Sequence, residues 1–142
     1  MKTARRRSRE IALQALYAWQ LAGGDALDEL RSLDKEGQAN RELAEALVRG
    51  VQERADELKA LIAPCLDRDF ARLSPVERAI LYIGAFELQA HPETPFKVVV
   101  NEAVELGKSF GGTGGHKFVN GVLEKLASGL RPDEVGRRKQ PA

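Results

Sequence analysis

The stretch from Ser74 to Ala90 limits the fold most, because it predicts a helix that is apolar on almost every side. Ser74-Pro75-Val76-Glu77 is a strong start signal: the serine hydroxyl accepts from a free backbone amide, proline suits the first turn, and Glu77 reaches back to the cap. We expect the helix to end before His91-Pro92. Its apolar residues cannot all face one neighbour, which predicts a central, covered helix. They are Ile80, Leu81, Ile83, Ala85, Phe86 and Leu88.

The first half of the chain has helical spacing, without sustained alternation of apolar and polar residues. A first helix is predicted from Ala4 to Ala22, with Gly23-Gly24 as its stop. A polar joint at 35–40 leads to a long helix that Asn40 caps and Pro64 ends. Between these two lies a short helix, with Leu27, Leu30 and Leu33.

The second half predicts two more helices, each with a competing interpretation. Thr94-Pro95 starts one of them, although residues 96–100 also have the β-propensity of a strand without an obvious partner. A flexible glycine loop at 111–115 precedes the last helix, which extends to Leu130. Residues 117–123 also fit a hairpin with an Asn-Gly turn. We favour the helix, because apolar positions continue at helical spacing and a lone hairpin is marginally stable.

The pattern as a whole predicts an all-α protein of about six to seven helices. A chain of 142 residues suits one domain, here 1–130, followed by a flexible basic tail at 131–142. With 43% hydrophobic and 30% charged residues, the composition is that of a globular protein. Cys65 is the single cysteine and forms no internal disulfide, and no cleavable leader is visible. We therefore expect a cytoplasmic protein.

Charge is segregated along the chain. Residues 1–9 carry five basic side chains and no acidic one, whereas residues 10–130 carry 13 basic and 19 acidic residues. The basic residues of the first segment are Lys2, Arg5, Arg6, Arg7 and Arg9. A basic tip on an acidic body attracts polyanions at one end.

The basic tip suits RNA in particular. On a helix, Arg5 and Arg9 share a face and Lys2 lies one turn earlier, which predicts a basic stripe. Guanidinium groups bind phosphates in bidentate fashion and stack on exposed bases. Cations at a helix start also oppose the helix dipole, which indicates an anionic ligand. The alternative is a terminus that merely keeps the protein soluble.

No constellation for catalysis or metal binding is visible. His91, His116 and Cys65 lie far apart in the sequence. The glycine loop before Lys117 lacks the Gly-Lys-Ser/Thr of a nucleotide-binding loop and follows a predicted helix instead of a strand. Its backbone amides and Lys117 still suit contact with a nucleic-acid phosphate. We expect neither an enzyme nor a cofactor.

Several stretches of the chain resemble the NusB family of bacterial transcription antitermination factors, in order and spacing. The resemblance covers most of the chain except residues 25–70 and the tail. It rests on Arg5–Glu10 with Ala15–Gln20, Val76–Leu81, Pro95–Val98, Asn101–Leu106 and His116–Leu123. It implies a compact all-helical fold of two packed sub-bundles. It also implies that the protein has no enzymatic activity. It also implies pairing with NusE, a small-subunit ribosomal protein, binding of boxA RNA, and indirect partnership with RNA polymerase and other Nus factors.

The resemblance further implies functional residues. The four arginines of the tip would contact boxA with Lys2 beside them, and Lys117 and Phe118 would extend that surface. Phe118 either stacks on a base or fills the core. Glu77 and Tyr17 are the candidate NusE contacts, although structural explanations are favoured for both: a capping box for Glu77 and core packing for Tyr17. The sequence leaves open whether the free protein is a monomer or a homodimer that masks its own RNA surface.

Three other functions stay open from the sequence. One is an RNA-targeting module like the NusB-like domain of ribosomal RNA cytosine methyltransferases, although this chain has no catalytic motif. Another is a helical protein-protein adaptor with an incidental basic terminus. A helix-turn-helix DNA binder fits less well, because the basic residues lie on a leading helix instead of a recognition helix.

Overall fold

Helices account for almost all of the regular structure. The computed structural model describes residues 2–34 and 37–139, and within these ranges it contains seven α-helices, two short 3-10 turns and no strand. The all-α prediction is therefore confirmed. The helices are α1 (Ala4–Ala22), α2 (Ala26–Leu33), α3 (Arg41–Ile62), α4 (Pro75–Ala90), α5 (Phe96–Phe110), α6 (Gly115–Leu130) and α7 (Pro132–Lys139).

Helix α4 lies at the centre, as its sequence predicts. Every residue from 79 to 88 is buried. The capping box is present: the Glu77 amide donates to Ser74 Oγ at 3.1 Å, and the Ser74 amide donates to Glu77 Oε1 at 3.0 Å. A Cβ on Gly84 would lie 2.7 Å from a Leu123 methyl, so the small residue lets α6 approach α4 closely.

The helices form two packed sub-bundles. Helices α1, α2 and α3 contact one another, and α4, α5 and α6 form the second group. Helices α1 and α3 both pack on α4 and join the two groups through one continuous core. At the α3–α4 crossing, a Cβ on Gly50 would collide with the Phe86 ring. A larger side chain there would require that buried ring to move.

The structure resolves both local ambiguities of the second half in favour of helix. Residues 96–100 open α5, and residues 117–123 lie inside α6. The start of α5 differs from the expected cap, because the Phe96 amide donates to Glu134 Oε1 at 2.7 Å. Thr94 makes no side-chain cap there. The glycine loop is a short turn in which Gly112 and Gly114 take positive φ of 71° and 78°, so glycine is favoured at both.

The segment expected to be a flexible tail begins with an ordered helix. Val135 of α7 is buried, and Arg131 at its start lies under the α4–α5 turn. Val135 is the one apolar residue that the sequence shows over α7, and a single apolar residue gives no periodicity from which to predict a helix. The side chains of Arg137, Arg138 and Lys139 and all of residues 140–142 lie outside the described part, as do Lys35 and Glu36 of the polar joint.

The described residues contain no helix that is long and apolar enough to cross a membrane. They also contain no group of three or more His, Cys, Asp or Glu side chains arranged to hold a metal ion.

Candidate nucleic-acid interface

The start of α1 is held rigidly, which fixes the backbone of the basic tip. Thr3 Oγ1 accepts from the Arg6 amide at 3.1 Å and caps the helix. Ser8 is fully buried and donates from its hydroxyl to the Ala4 carbonyl at 2.8 Å and the Asn40 carbonyl at 2.7 Å. The tip is therefore joined to the start of α3 and presents its side chains from a fixed frame.

Arg9 points into the protein, which corrects the expectation that it contacts RNA. Its Nε and Nη2 atoms donate to the two carboxylate oxygens of Glu87 at 2.9 and 2.8 Å. The side chains are 3% and 1% exposed. Burial alone would lower the pKa of Arg9, but the hydrogen bonds and charge of Glu87 raise it above its ordinary value. Arg9 is therefore a structural cation that joins α1 to α4.

The sequence carried a signal for this burial. Arg9 lies three and seven residues before Ala12 and Leu16, on the apolar face of α1, and Glu87 interrupts the apolar run of α4. One isolated charge on each of two buried faces is the pattern that a buried ion pair produces. The prediction of one basic stripe does not include this partner.

Arg6 is held by a carboxylate of α5. Its Nε and Nη2 atoms donate to Glu102 Oε2 at 3.1 and 2.9 Å, and these contacts raise the pKa of Arg6. Glu102 Oε1 lies 3.6 Å from Arg9 Nη1, so one carboxylate serves both arginines. The Arg6 side chain is 44% exposed and can exchange this partner for another anion.

Lys2 and Arg7 share Glu10. Lys2 Nζ lies 2.8 Å from Glu10 Oε2, and Arg7 Nη1 lies 3.7 Å from Glu10 Oε1. Glu10 is itself buried, whereas its two cations are 57% and 40% exposed. Both cations therefore keep a solvent-facing side.

Arg5 is the most available cation of the tip. It is exposed, and no carboxylate within the described residues pairs with it. The tip contains five cations, and four of them meet the three carboxylates of Glu10, Glu87 and Glu102. Two positive charges remain in excess, fewer than the sequence alone indicates.

Helix α5 connects the tip to the start of α6. Lys2 and Arg6 line a pocket of about 80 Å³ together with Glu105 and Ser109 from the end of α5. Close by along α5, a Cβ on Gly107 would lie 2.9 Å from the His116 Cα atom, so the two helices are in near backbone contact. Lys117 follows at once and is exposed. The predicted RNA-binding residues of α1 and α6 can therefore belong to one surface that crosses α5.

Phe118 packs partly against the core and does not present a bare ring. It is half-buried, and the Arg68 guanidinium lies over its ring at 4.8 Å from the centroid. Arg68 belongs to the turn after α3 and was not among the residues singled out from the sequence. No local pattern links it to Phe118, fifty positions along the chain.

At the junction of α1 and α4, Tyr17 lies three residues before Gln20, and Glu77 lies two residues after Pro75. Gln20 Nε2 donates to the Pro75 carbonyl there at 2.9 Å. The Tyr17 side chain is 39% exposed and Leu21, one turn later, is 61% exposed, so Tyr17 is not the core residue that one interpretation expects. Glu77 makes the capping box and is half-buried.

These features define a class: a small helical bundle with a cationic face around the start of its first helix and an apolar strip at that helix's other end. The NusB family model matches residues 6–128. The chain belongs to the NusB family.

Individual relatives agree with this assignment. The transcription antitermination protein NusB of Paraburkholderia phytofirmans is 53% identical over 138 residues, covering 95% of this chain and 96% of the relative. The NusB protein of Dechloromonas aromatica is 51% identical, covering 98% and 87%.

Solved structures share the fold. T. maritima NusB superposes with a TM-score of 0.86 at 31% identity, covering 96% of this chain and 99% of that structure. A structure described as antitermination factors NusB and NusE in complex with dsRNA superposes with a TM-score of 0.79 at 27% identity, covering 91% and 99%.

Proposed function

We propose that this protein is a transcription antitermination factor that binds boxA of nascent RNA together with NusE and helps RNA polymerase resist termination. The observation that carries the proposal is the exposed Arg5, which pairs with no carboxylate of the described residues, in the rigid cationic tip of a chain of the NusB family. The solved complex of NusB, NusE and dsRNA supports the same pair of partners here. The protein acts without catalysis, as a cytoplasmic adaptor.

The RNA-binding step is an exchange of anions. Arg5 binds a phosphate without losing a partner, whereas Lys2, Arg6 and Arg7 turn partly exposed faces from Glu10 and Glu102 toward phosphates. Lys117 adds a cation on the α6 side. Arg9 stays with Glu87 and holds α1 in place. Because the carboxylates compete with phosphate, affinity for RNA alone is modest and depends on salt.

We infer that NusE binds at the α1–α4 junction. Tyr17 and Leu21 offer exposed apolar area in the second half of α1, and Glu77 supplies a carboxylate in the first turn of α4. This surface lies toward the end of α1 opposite to the basic tip, so both partners can bind at once. Linked binding of two weak contacts gives the composite complex its affinity.

The direct test is a binding titration of boxA RNA and scrambled RNA, each with and without purified NusE. We expect boxA to bind more tightly than scrambled RNA, and NusE to increase that difference. Tyr17→Ala should remove the increase due to NusE while leaving the binding of RNA alone unchanged. Equal affinity for both RNAs in the presence of NusE would contradict the antitermination proposal and favour a nonspecific helical adaptor.

Glu102→Gln is expected to strengthen RNA binding about fivefold at low salt, because it frees Arg6 and removes a competing charge. The log-log salt slope should become steeper by about 0.7, the contribution of one further phosphate on single-stranded RNA. Glu53→Gln is the matched control: it removes the same charge beside the α1–α2 turn, near Asp25. Equal affinities of the two variants would show that Glu102 does not compete with RNA.

A further inference from the structure

Arg68 and Phe118 form a stacked pair next to the RNA surface proposed above. The Arg68 guanidinium carbon lies 4.8 Å from the centre of the Phe118 ring. Phe118 is supported from beneath by the hydrophobic core. The Arg68 side chain remains 45% exposed although one of its faces rests on the ring. Its outer face is therefore open to solvent.

Asp67 fixes the edge of the same guanidinium. Arg68 Nε and Nη2 donate to the two oxygens of Asp67 at 2.8 and 3.4 Å. This fork leaves the planar group with little freedom to rotate, since one edge and one face are both occupied. The contact with Asp67 also raises the pKa of Arg68.

The surroundings of this pair suit a nucleic-acid strand. Lys117 precedes Phe118 and is exposed. The hydrogen bond from Arg68 is the main cause of the lowered pKa of Asp67, and the charge of Lys125 adds a smaller effect. The start of α6, which carries Phe118, touches Gly107 near the end of α5, and that end shares a pocket with Lys2 and Arg6. A strand bound along the basic tip can therefore continue toward Arg68.

We propose that the outer face of the Arg68 guanidinium is a stacking platform for one unpaired base of the bound RNA, with Phe118 and Asp67 holding the platform in place. Arginine planes stack on bases because the group is flat, delocalised and weakly hydrated. This assignment rests on the proposed RNA-binding function. It adds Arg68 as a residue that contacts a base instead of a phosphate. Phe118 then acts through Arg68 as a positioning residue.

The decisive variant is Arg68→Lys, which keeps the positive charge but removes the planar guanidinium group. We expect single-stranded boxA RNA to bind about five- to tenfold more weakly to the full-length variant, with an unchanged salt slope. Arg68→Ala also uncovers Phe118, which can stack in its place, so it is the less informative variant. Arg31→Lys is the matched control, because Arg31 pairs with Asp28 at 3.4 Å and is 56% exposed on α2. Thermal unfolding of both variants should match that of the wild type.

A series of RNAs with a single abasic position then identifies the stacked base. At one position, loss of the base should weaken binding to the wild type about fivefold but leave binding to Arg68→Lys unchanged. Equal affinities of Arg68→Lys and the wild type on intact RNA would overturn the stacking assignment while leaving RNA binding intact. Failure of the wild type to bind RNA would instead overturn the proposed function itself, and the platform with it.

Discussion

Arg9→Ala is expected to lower the free energy of unfolding by about 3 to 5 kcal/mol, because it leaves Glu87 charged and buried without its partner. The variant also loses an ion pair between α1 and α5, since Arg9 Nη1 lies 3.6 Å from Glu102 Oε1. Urea denaturation followed by circular dichroism measures the change. For a chain of 142 residues, a loss of this size lowers the melting temperature by about 10 °C or more.

Arg5→Ala is the control for Arg9→Ala, because it removes the same side chain one helical turn earlier on an exposed surface. Its stability should stay within about 0.5 kcal/mol of the wild type. A double variant, Arg9→Met with Glu87→Leu, should regain most of the lost stability, since a buried pair can be replaced by apolar side chains of similar volume. Equal stabilities of Arg9→Ala and Arg5→Ala would contradict the structural role of Arg9.

Arg131→Ala is expected to cost about 3 to 4 kcal/mol of stability. The buried Arg131 guanidinium donates to the carbonyls of Glu87, Leu88, His91 and Thr94, which end α4 and form the turn to α5. Hydrogen bonds from a charged donor contribute about 1.5 to 3 kcal/mol each, and water replaces some of them after truncation. The loss is measured by the same denaturation experiment.

Two further variants test whether residues 131–139 are an integral part of the fold. Arg131→Lys keeps the charge but not the planar guanidinium group. It should therefore lower the free energy of unfolding by less than Arg131→Ala does. A chain ending at Leu130 should lose at least as much stability as Arg131→Ala, because it also loses the contact of Glu134 with the Phe96 amide. Full stability of that shortened chain would support the flexible tail that the sequence favours.

The sequence predicted the elements well because they depend on local chemistry. The bounds of α1 follow from its apolar spacing and from the glycines after Ala22. The capping box at Ser74 and Glu77 is a contact between residues three positions apart. The Asn40 cap is equally local, since its side chain accepts from the Leu43 amide at 3.1 Å. Such contacts can be inferred without knowing how helices pack.

The charge pairs could not be predicted in the same way, because their partners are distant in the chain. Arg9 and Glu87 are 78 positions apart, and Arg6 and Glu102 are 96 positions apart. Which carboxylate meets which arginine depends on how α4 and α5 cross α1. The sequence therefore predicted a uniform basic stripe. The structure divides it into a buried cation, cations that share carboxylates, and one arginine that pairs with no carboxylate of the described residues.

We propose that the outward-facing cations of the tip bind RNA phosphates while Arg9 supports the fold. The decisive measurement is the affinity for single-stranded RNA as a function of salt, in the wild type and in Arg5→Ala. With three or four phosphates neutralised, the log-log slope should be about −2 to −3, and Arg5→Ala should make it shallower by about 0.7. A wild-type slope near zero, or the same slope in both proteins, would contradict the account.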